Sequence, residues 1–473
     1  MKLRVRLTEL FLINLRTRMP FRYGITTVRA LPHVVLRAGV EVDGKLVHGF
    51  AADNLPPKWF TKNPQTPFSH DVREMIEVIQ AACGFASQVP ESPSIYHLWR
   101  TTWDAQSTWA QSKYPPLLWN FGVSLIERAI IDAFCRATGL QFHHALRNNA
   151  LGLQLADLHE ELRGLEPNQL LPPEPLQHII VRHTVGLSDP LTVDEIDPDT
   201  IDDGLPRALT ECIRAYGLSY FKIKISGNIE ADVERLTRIA SVLDEHSPDY
   251  RFTLDGNENY QSIDQFRAFW ANISGSRMLN HLLFVEQPLH RDVALSNDVA
   301  SWIDRPPMII DESDSSPADV REALRLGYVG TSYKSCKGVI KGIASAGLIA
   351  QRNRQNPARQ LITSAEDLTT VGISMLQDLA VVAALGIPHA ERNGHHYIRG
   401  ASGWPPAIRN ALQAHHPDLY GNQSIGEASL TILNGRISTD SVNHAPFGVG
   451  FSPDLSELTD LAQWDPRSLE DSR

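Results

Sequence analysis

The pattern of hydrophobic and polar positions changes period along the chain. Over the first 60 residues or so it alternates, as a strand does. Leu31 to Val42 reads as one strand, Asp43-Gly44 as a hairpin turn, and Lys45 to Phe50 as the returning strand. Two segments interrupt the alternation: Met19-Pro20-Phe21-Arg22-Tyr23-Gly24 and Asp53-Asn54-Leu55-Pro56-Pro57-Lys58-Trp59. Each sets proline beside aromatic and basic residues, and both read as loops. From about Ser69 to Gly139 the period is helical. Ser69 is placed to cap a run through Ile76, Val78 and Ile79. Leu125, Ala129, Asp132, Ala133 and Arg136 share helical spacing, and Gly139 supplies a stop.

Residues 146–178 lose any period. Leu, Glu, Asn and Pro dominate, as in Leu171-Pro172-Pro173-Glu174-Pro175, and the segment reads as an insertion or linker. A new rhythm then begins. Short β-like runs recur at Ile179–Val185, Tyr220–Ile225, Arg251–Asp255, Leu283–Glu286, Met308–Asp311, Gly330–Lys334, Gln360–Ser364 and Gly386–Glu391. Helical patterns fill most gaps. The clearest has Val233, Leu236, Ile239, Ala240 and Leu243 on one side, with Asn228 as a cap. Eight strand-then-helix units predict an α/β fold, a (β/α)8 barrel of the TIM type. The expected organisation is an N-terminal α+β capping domain over 1–145, the insertion over 146–178, the barrel over 179–400, and a C-terminal segment over 401–473 that returns to the cap. That last segment is irregular apart from a strand-like turn at Ile432–Ile437.

Charge enters the picture on the barrel strands. Phe221, Ile223 and Ile225 take one face of their strand, while Lys222 and Lys224 take the other. A buried lysine is costly unless its charge is paired or its proton lost, so two on one apolar strand mark either a site or a solvated edge. Asp255, Glu286 and Asp311 each close the next three strands. The C-terminal ends of barrel strands build active sites. One acid there is often a helix cap. Three on consecutive strands converge, and like charges held together need a cation. An all-oxygen set suits one hard divalent ion, Mg²⁺ above all. Lys334 closes the sixth strand, giving lysine, three carboxylates and lysine around one rim.

On these residues the chain resembles the mandelate racemase and muconate lactonizing enzyme family of the enolase superfamily. The matching motifs are Lys222-Ile223-Lys224, Asp255-Gly256-Asn257, Glu286-Gln287-Pro288, Asp311-Glu312-Ser313, and Lys334 followed by Lys337-Gly338. Glu127-Arg128-Ala129-Ile130-Ile131-Asp132 fits the last helix of the family's cap. Lysines on strands two and six, with no histidine closing strand seven at Leu361-Ile362-Thr363-Ser364, are similar to the muconate lactonizing pattern. The sequence departs from that pattern at Ser332-Tyr333-Lys334 and in the insertion. The resemblance implies Mg²⁺ on Asp255, Glu286 and Asp311, with Asn257 and Glu312 behind them. It implies abstraction of the proton α to a substrate carboxylate, to give a metal-stabilised enolate. Lys224 would be the base, Lys222 would hold the carboxylate charge, and Lys334 would act from the other face. Arg22, Tyr23, Lys58 and Trp59 on the cap loops, with Glu391 at the eighth strand, are the expected substrate contacts.

Several readings stay open at this point. A racemase, epimerase or cycloisomerase is expected. An acid dehydratase or elimination-type synthase, that is a lyase, would use the same rim. A carboxylate-binding barrel without turnover is the third. His395-His396 is read as a substrate or loop contact rather than a metal pair, since neighbours on a strand face opposite ways. Cys336 is read as a packing residue. The net charge of −11 excludes a broad nucleic-acid surface. The four cysteines (Cys83, Cys135, Cys212 and Cys336) form no CxxC pair, which argues against a zinc site or disulfide framework. The longest early apolar run, Leu10–Ile13, is too short for a signal core, and no segment reaches membrane length. A cytoplasmic enzyme acting on a small carboxylate is expected, with no nucleic-acid or membrane partner; a homo-oligomer follows from the resemblance alone.

Overall fold

In the computed structural model, residues 1–198, 200–421 and 429–469 are described; 422–428 and 470–473 of the expected C-terminal segment lie outside them. Strands β1 (Leu3–Tyr23), β2 (Thr26–Val42) and β3 (Lys45–Asn54) form an antiparallel meander. Asp43 and Gly44 both turn with positive φ, so Val42 pairs Lys45 across a two-residue hairpin. The segment from Met19 to Gly24 differs from its expected loop. It finishes β1, with Phe21 opposite Val28 and Tyr23 opposite Thr26. The register slips between Arg16 and Phe21, and Pro20 sits in that slip, where no ladder donor is required of it. In the second expected loop, Asp53 and Asn54 still belong to β3, and the chain leaves the sheet after them.

Helices α1 (Phe68–Gln88), α2 (Ile95–Ala110) and α3 (Pro116–Thr138) cover this sheet. Pro67 rather than Ser69 precedes α1, so Ser69 lies within its first turn. Gly139 closes α3 in the left-handed region, donating its N–H to Cys135 O. Contact between α3 and β3 is backbone-close: a Cβ on Gly49 would lie 2.0 Å from Ala129 O. Short helices α4 (Phe142–Arg147) and α5 (Pro167–Leu170) follow.

The barrel strands are β4 (His178–Val185), β5 (Tyr220–Lys224), β6 (Arg251–Asp255), β7 (Leu282–Glu286), β8 (Met308–Ile310), β9 (Gly330–Tyr333), β10 (Ile362–Ala365) and β11 (His389–Arg392). All pair in parallel with their sequence neighbours, and β11 closes on β4, with Ala390 opposite Val181. Between them run α6 (Leu209–Tyr216), α7 (Ile229–His246), α8 (Ile263–Ile273), α9 (Arg291–Ala294), α10 (Pro317–Arg325), α11 (Val339–Gln355) and α12 (Ile373–Leu385), with α13 (Gly394–Tyr397) after β11. This is a (β/α)8 barrel with an N-terminal antiparallel domain. The stretch from Leu151 to Leu171 buries seven leucines, and Leu162 and Leu170 seat on Gly347 of α11, so it is packed chain. Near the C-terminus, Arg436–Ser438 pairs antiparallel with β4, and Thr459–Asp460 adds a short strand to β1. No helix among the described residues is long and apolar enough to cross a membrane.

Candidate active site

Alternation within β5 turns Phe221 and Ile223 to the helices and sends Lys222 and Lys224 into the barrel. Registry then sets the rim: Lys224 pairs Asp255, and Asp255 pairs Glu286, so the three side chains start at one level. Asp311 follows β8 and Lys334 follows β9. The Lys224 ammonium lies 2.5 Å from Asp255 Oδ2, and that of Lys334 2.6 Å from Asp311 Oδ2. Asp311 Oδ1 also accepts from Lys337 at 3.1 Å and from the Ser332 hydroxyl. Burial opposes the Asp311 charge, but Lys334, Lys337 and Lys222 outweigh it and hold the carboxyl well below its ordinary range.

Lys222 lies deeper than the expected substrate contact. Its ammonium is fully buried and enclosed by Asp255 at 3.0 Å, Glu286 and Glu391 at 2.9 Å, and Glu366 at 2.7 Å. Burial works against its charge, but these four carboxylates hold it firmly protonated. Lys222 is therefore the hub of the barrel interior and does not line the cavity above it. Glu366 and its buried partner Arg182 are functional candidates that the sequence reading passed over. Glu366 follows β10 just as Asp255 ends β6, so the same strand-end rule would have found it.

Acid remains in excess around Glu286. Burial, Asp255 and Glu366 push its carboxyl well above the ordinary value, despite Lys222. The Lys222 ammonium lies 2.8 Å from Glu286 Oε2 without a directed hydrogen bond, and Oε2 of Glu312 is buried with no hydrogen-bond partner. Glu312 is pushed up to about 7 by burial, then by Asp311 and Glu258. A hard oxygen set that is short of positive charge fits a divalent cation such as Mg²⁺.

Above the rim is a small cavity. Lys224, Lys334, Asn257, Asp367 and Glu391 form its floor and walls, and Thr17, Phe21, Tyr23 and Trp59 reach over from the N-terminal domain. The Trp59 ring centroid is 4.6 Å from the Lys334 ammonium. Arg291 fixes this loop to the barrel, donating 2.8 Å hydrogen bonds to Trp59 O and Phe60 O while paired with Glu258. Lys62, also unforeseen, holds the Asn257 carbonyl from the same loop. Asn257 in turn donates toward Glu312 at 3.4 Å.

Two expected contacts fall elsewhere. Arg22 is exposed, because its neighbours Phe21 and Tyr23 take the inward face of the hairpin. Lys58 turns to Thr66 Oγ1 at 2.7 Å and Asp71 at 2.9 Å, which satisfies its charge outside the cavity. His395 and His396 lie on helix α13, not on a strand, and neither lines the cavity. Cys336 is buried, and burial raises its thiol.

Comparison with known proteins agrees with this picture. Residues 205–396 match the family model described as enolase C-terminal domain-like. No curated protein matches the chain by sequence. Among solved structures, muconate lactonizing enzyme from Pseudomonas fluorescens, complexed with muconolactone, is 15% identical, with 95% of this chain and 97% of that one covered and a TM-score of 0.62. An enolase from Bradyrhizobium complexed with magnesium and mandelic acid is 13% identical, covering 96% of each chain at a TM-score of 0.60. N-succinyl Arg/Lys racemase from Bacillus cereus is 14% identical over 83% of this chain and 88% of its own, at 0.57. Residues 205–396 thus carry the match to the enolase C-terminal domain-like family, and these solved structures share the fold nearly end to end.

Proposed function

We propose that the protein is a Mg²⁺-dependent enzyme that moves the proton α to a substrate carboxylate, as a racemase, epimerase or cycloisomerase. One observation carries this reading. Lys224 and Lys334 stand four strands apart in an eight-stranded ring, hence on opposite walls, and both reach one cavity above a row of carboxylates. Such an α-proton is weakly acidic, and a divalent cation on Asp255, Glu286 and Asp311 would stabilise the negative charge that grows on the substrate carboxylate as it leaves.

The chain's own residues do the rest. Lys224, in its neutral form, takes the proton from one face. Lys334, on the opposite wall beside Asp311, returns a proton from the other face. Lys222 neutralises the inner carboxylates and keeps them in place. Phe21 and Trp59 exclude water over the reacting carbon, with Phe21 itself stacked on Tyr397 at 4.0 Å between ring centroids. The Bradyrhizobium enolase, complexed with magnesium and mandelic acid, supports a cation and a carboxylate in such a barrel.

The test is deuterium incorporation in D₂O with Mg²⁺, over a panel of amino-acid, dipeptide, sugar-acid and cyclic carboxylates. The expected result is mass gain at the α-carbon of one class, abolished by Lys224→Ala, whereas Lys334→Ala keeps exchange on the Lys224 face and loses delivery of the proton to the other. Exchange that survives Lys224→Ala would overturn the lysine assignment. Water loss without exchange would move the enzyme to the lyases. No turnover across the panel, with Mg²⁺ bound, would favour a carboxylate-binding barrel.

A further inference from the structure

Outside the barrel wall, on the far side of β4 from the cavity, lies a second cluster. Arg182 and Thr184 of β4 face inward, bonding Glu366 and Glu391, so His183 between them faces the helices. There it meets Cys212 of α6 and His396 of α13. All three are buried, and one ligand atom from each lies within 4.8 Å of the others. Cys212 Sγ is 3.7 Å from His396 Nδ1. Around a tetrahedral zinc, with Zn–S of about 2.3 Å and Zn–N of about 2.0 Å, sulfur and nitrogen stand roughly 3.5 Å apart.

The surroundings are also those of a metal site. A ligating imidazole commonly turns its second nitrogen to a carboxylate, which fixes its orientation. His396 Nε2 faces Asp189 Oδ2 at 3.7 Å, and Asp189 is itself held by Gly186 N at 2.7 Å and the Tyr397 hydroxyl at 2.5 Å. His183 Nδ1 lies 3.2 Å from His395 Nε2. His395 Nδ1 is buried without a hydrogen-bond partner. One thiolate and one nearby carboxylate would balance a dication. The donors are soft where the cavity's are hard oxygen, so the two sites select different metals.

We infer that His183, Cys212 and His396 form a Zn²⁺ site, with a small ligand such as water in the fourth position. Its three ligands come from the barrel's first strand, its first helix and the turn after its last strand. The ion therefore staples the seam where β11 closes on β4. It also steadies the turn that carries Glu391 and Asn393 into the cavity wall. No local spacing signals such a site, because its ligands sit on three separate elements.

The test uses the full chain, stripped with a chelator and returned to excess Mg²⁺, then titrated with Co²⁺. One equivalent should bind with near-ultraviolet thiolate-to-cobalt absorption, and Zn²⁺ should displace it. Cys212→Ser should abolish the band, while Lys224→Ala and Asp255→Asn should retain it. Zn²⁺ should raise the melting temperature of the parent and leave that of Cys212→Ser unchanged. Should Cys212→Ser fail to fold, His183→Asn, which keeps the thiol, should weaken Co²⁺ binding at least tenfold. Absence of the band from the parent, or its persistence in Cys212→Ser, would overturn the site. An unchanged Co²⁺ affinity in His183→Asn would do the same.

Discussion

Glu127 joins the two halves of the molecule. It sits on α3, buried, and accepts from Val339 N at 3.1 Å and Ile340 N at 2.6 Å at the start of α11. That helix follows the segment bearing Lys334 and Lys337. Burial pushes the Glu127 carboxyl up from 4.5 to about 7; the Ile340 and Val339 N–H groups and the Arg128 and Lys341 charges only partly offset it. The folded state thus binds this proton more tightly than the unfolded chain does. The stability that the proton confers is complete below about pH 4.5 and is lost as pH rises to about 7. At roughly 1.4 kcal/mol per pH unit, the loss is about 3 kcal/mol. Glu127→Gln keeps one acceptor and removes the titration. Its stability relative to the parent should therefore improve by about 3 kcal/mol between pH 4.5 and 7.5. For a 473-residue chain melting in one step, an unfolding entropy of about 1 kcal/mol/K makes that a relative shift of roughly 3 °C. Differential scanning calorimetry of both proteins across that range reads it, and the difference cancels groups common to both, such as Glu312. Parallel profiles, or a variant that loses ground as pH rises, would refute the reasoning.

Two further outcomes follow from packing and charge. Lys222→Met leaves four carboxylates around an uncharged side chain, and removing one partner of a buried ionic cluster costs about 3–5 kcal/mol; the melting temperature and soluble yield should both fall, and a parent-like melt would show that the acids are neutral without it. Gly49→Ala drives a Cβ into Ala129 O at 2.0 Å and Ala133 N at 2.4 Å, so α3 must move off β3 at about 1–3 kcal/mol, whereas Gly139→Ala meets nothing within 4 Å and costs only its strained backbone, about 1 kcal/mol; equal melting temperatures for the two variants would contradict the close approach.

Much of the barrel was legible because each strand is short, apolar and followed by a helical period, and such signals are local. Val233, Leu236 and Leu243 announce α7, and the acids at 255, 286 and 311 announce strand ends, without any knowledge of distant chain. Pro20 misled the reading of β1, since proline argues against a strand unless a register slip accommodates it, and a slip is set by the partner strand. Lys222 was harder still. Its strand face could be read, but whether it met substrate or four carboxylates depended on Glu366 and Glu391, more than 140 residues away. The cap contacts divided for a similar reason. Period two places either Arg22 or its neighbours in the cavity, and only the pairing of β1 with β2 decides which.

The slip in β1 separates two tasks carried by one strand. From Leu7 to Arg16 it is bound residue by residue to β2; beyond the slip, Phe21 and Tyr23 overhang the cavity. Four residues of β1 stand there against one of β2, Arg29, so local changes in length or shape are absorbed before they reach the sheet. Arg18 within the slip is buried against Asp203, and Met19 and Phe21 pack with Tyr397, so the exposed Arg22 is the position there that can change at least cost to packing. The hairpin tip therefore shapes the cavity and ties the N-terminal domain to the barrel with the same few residues.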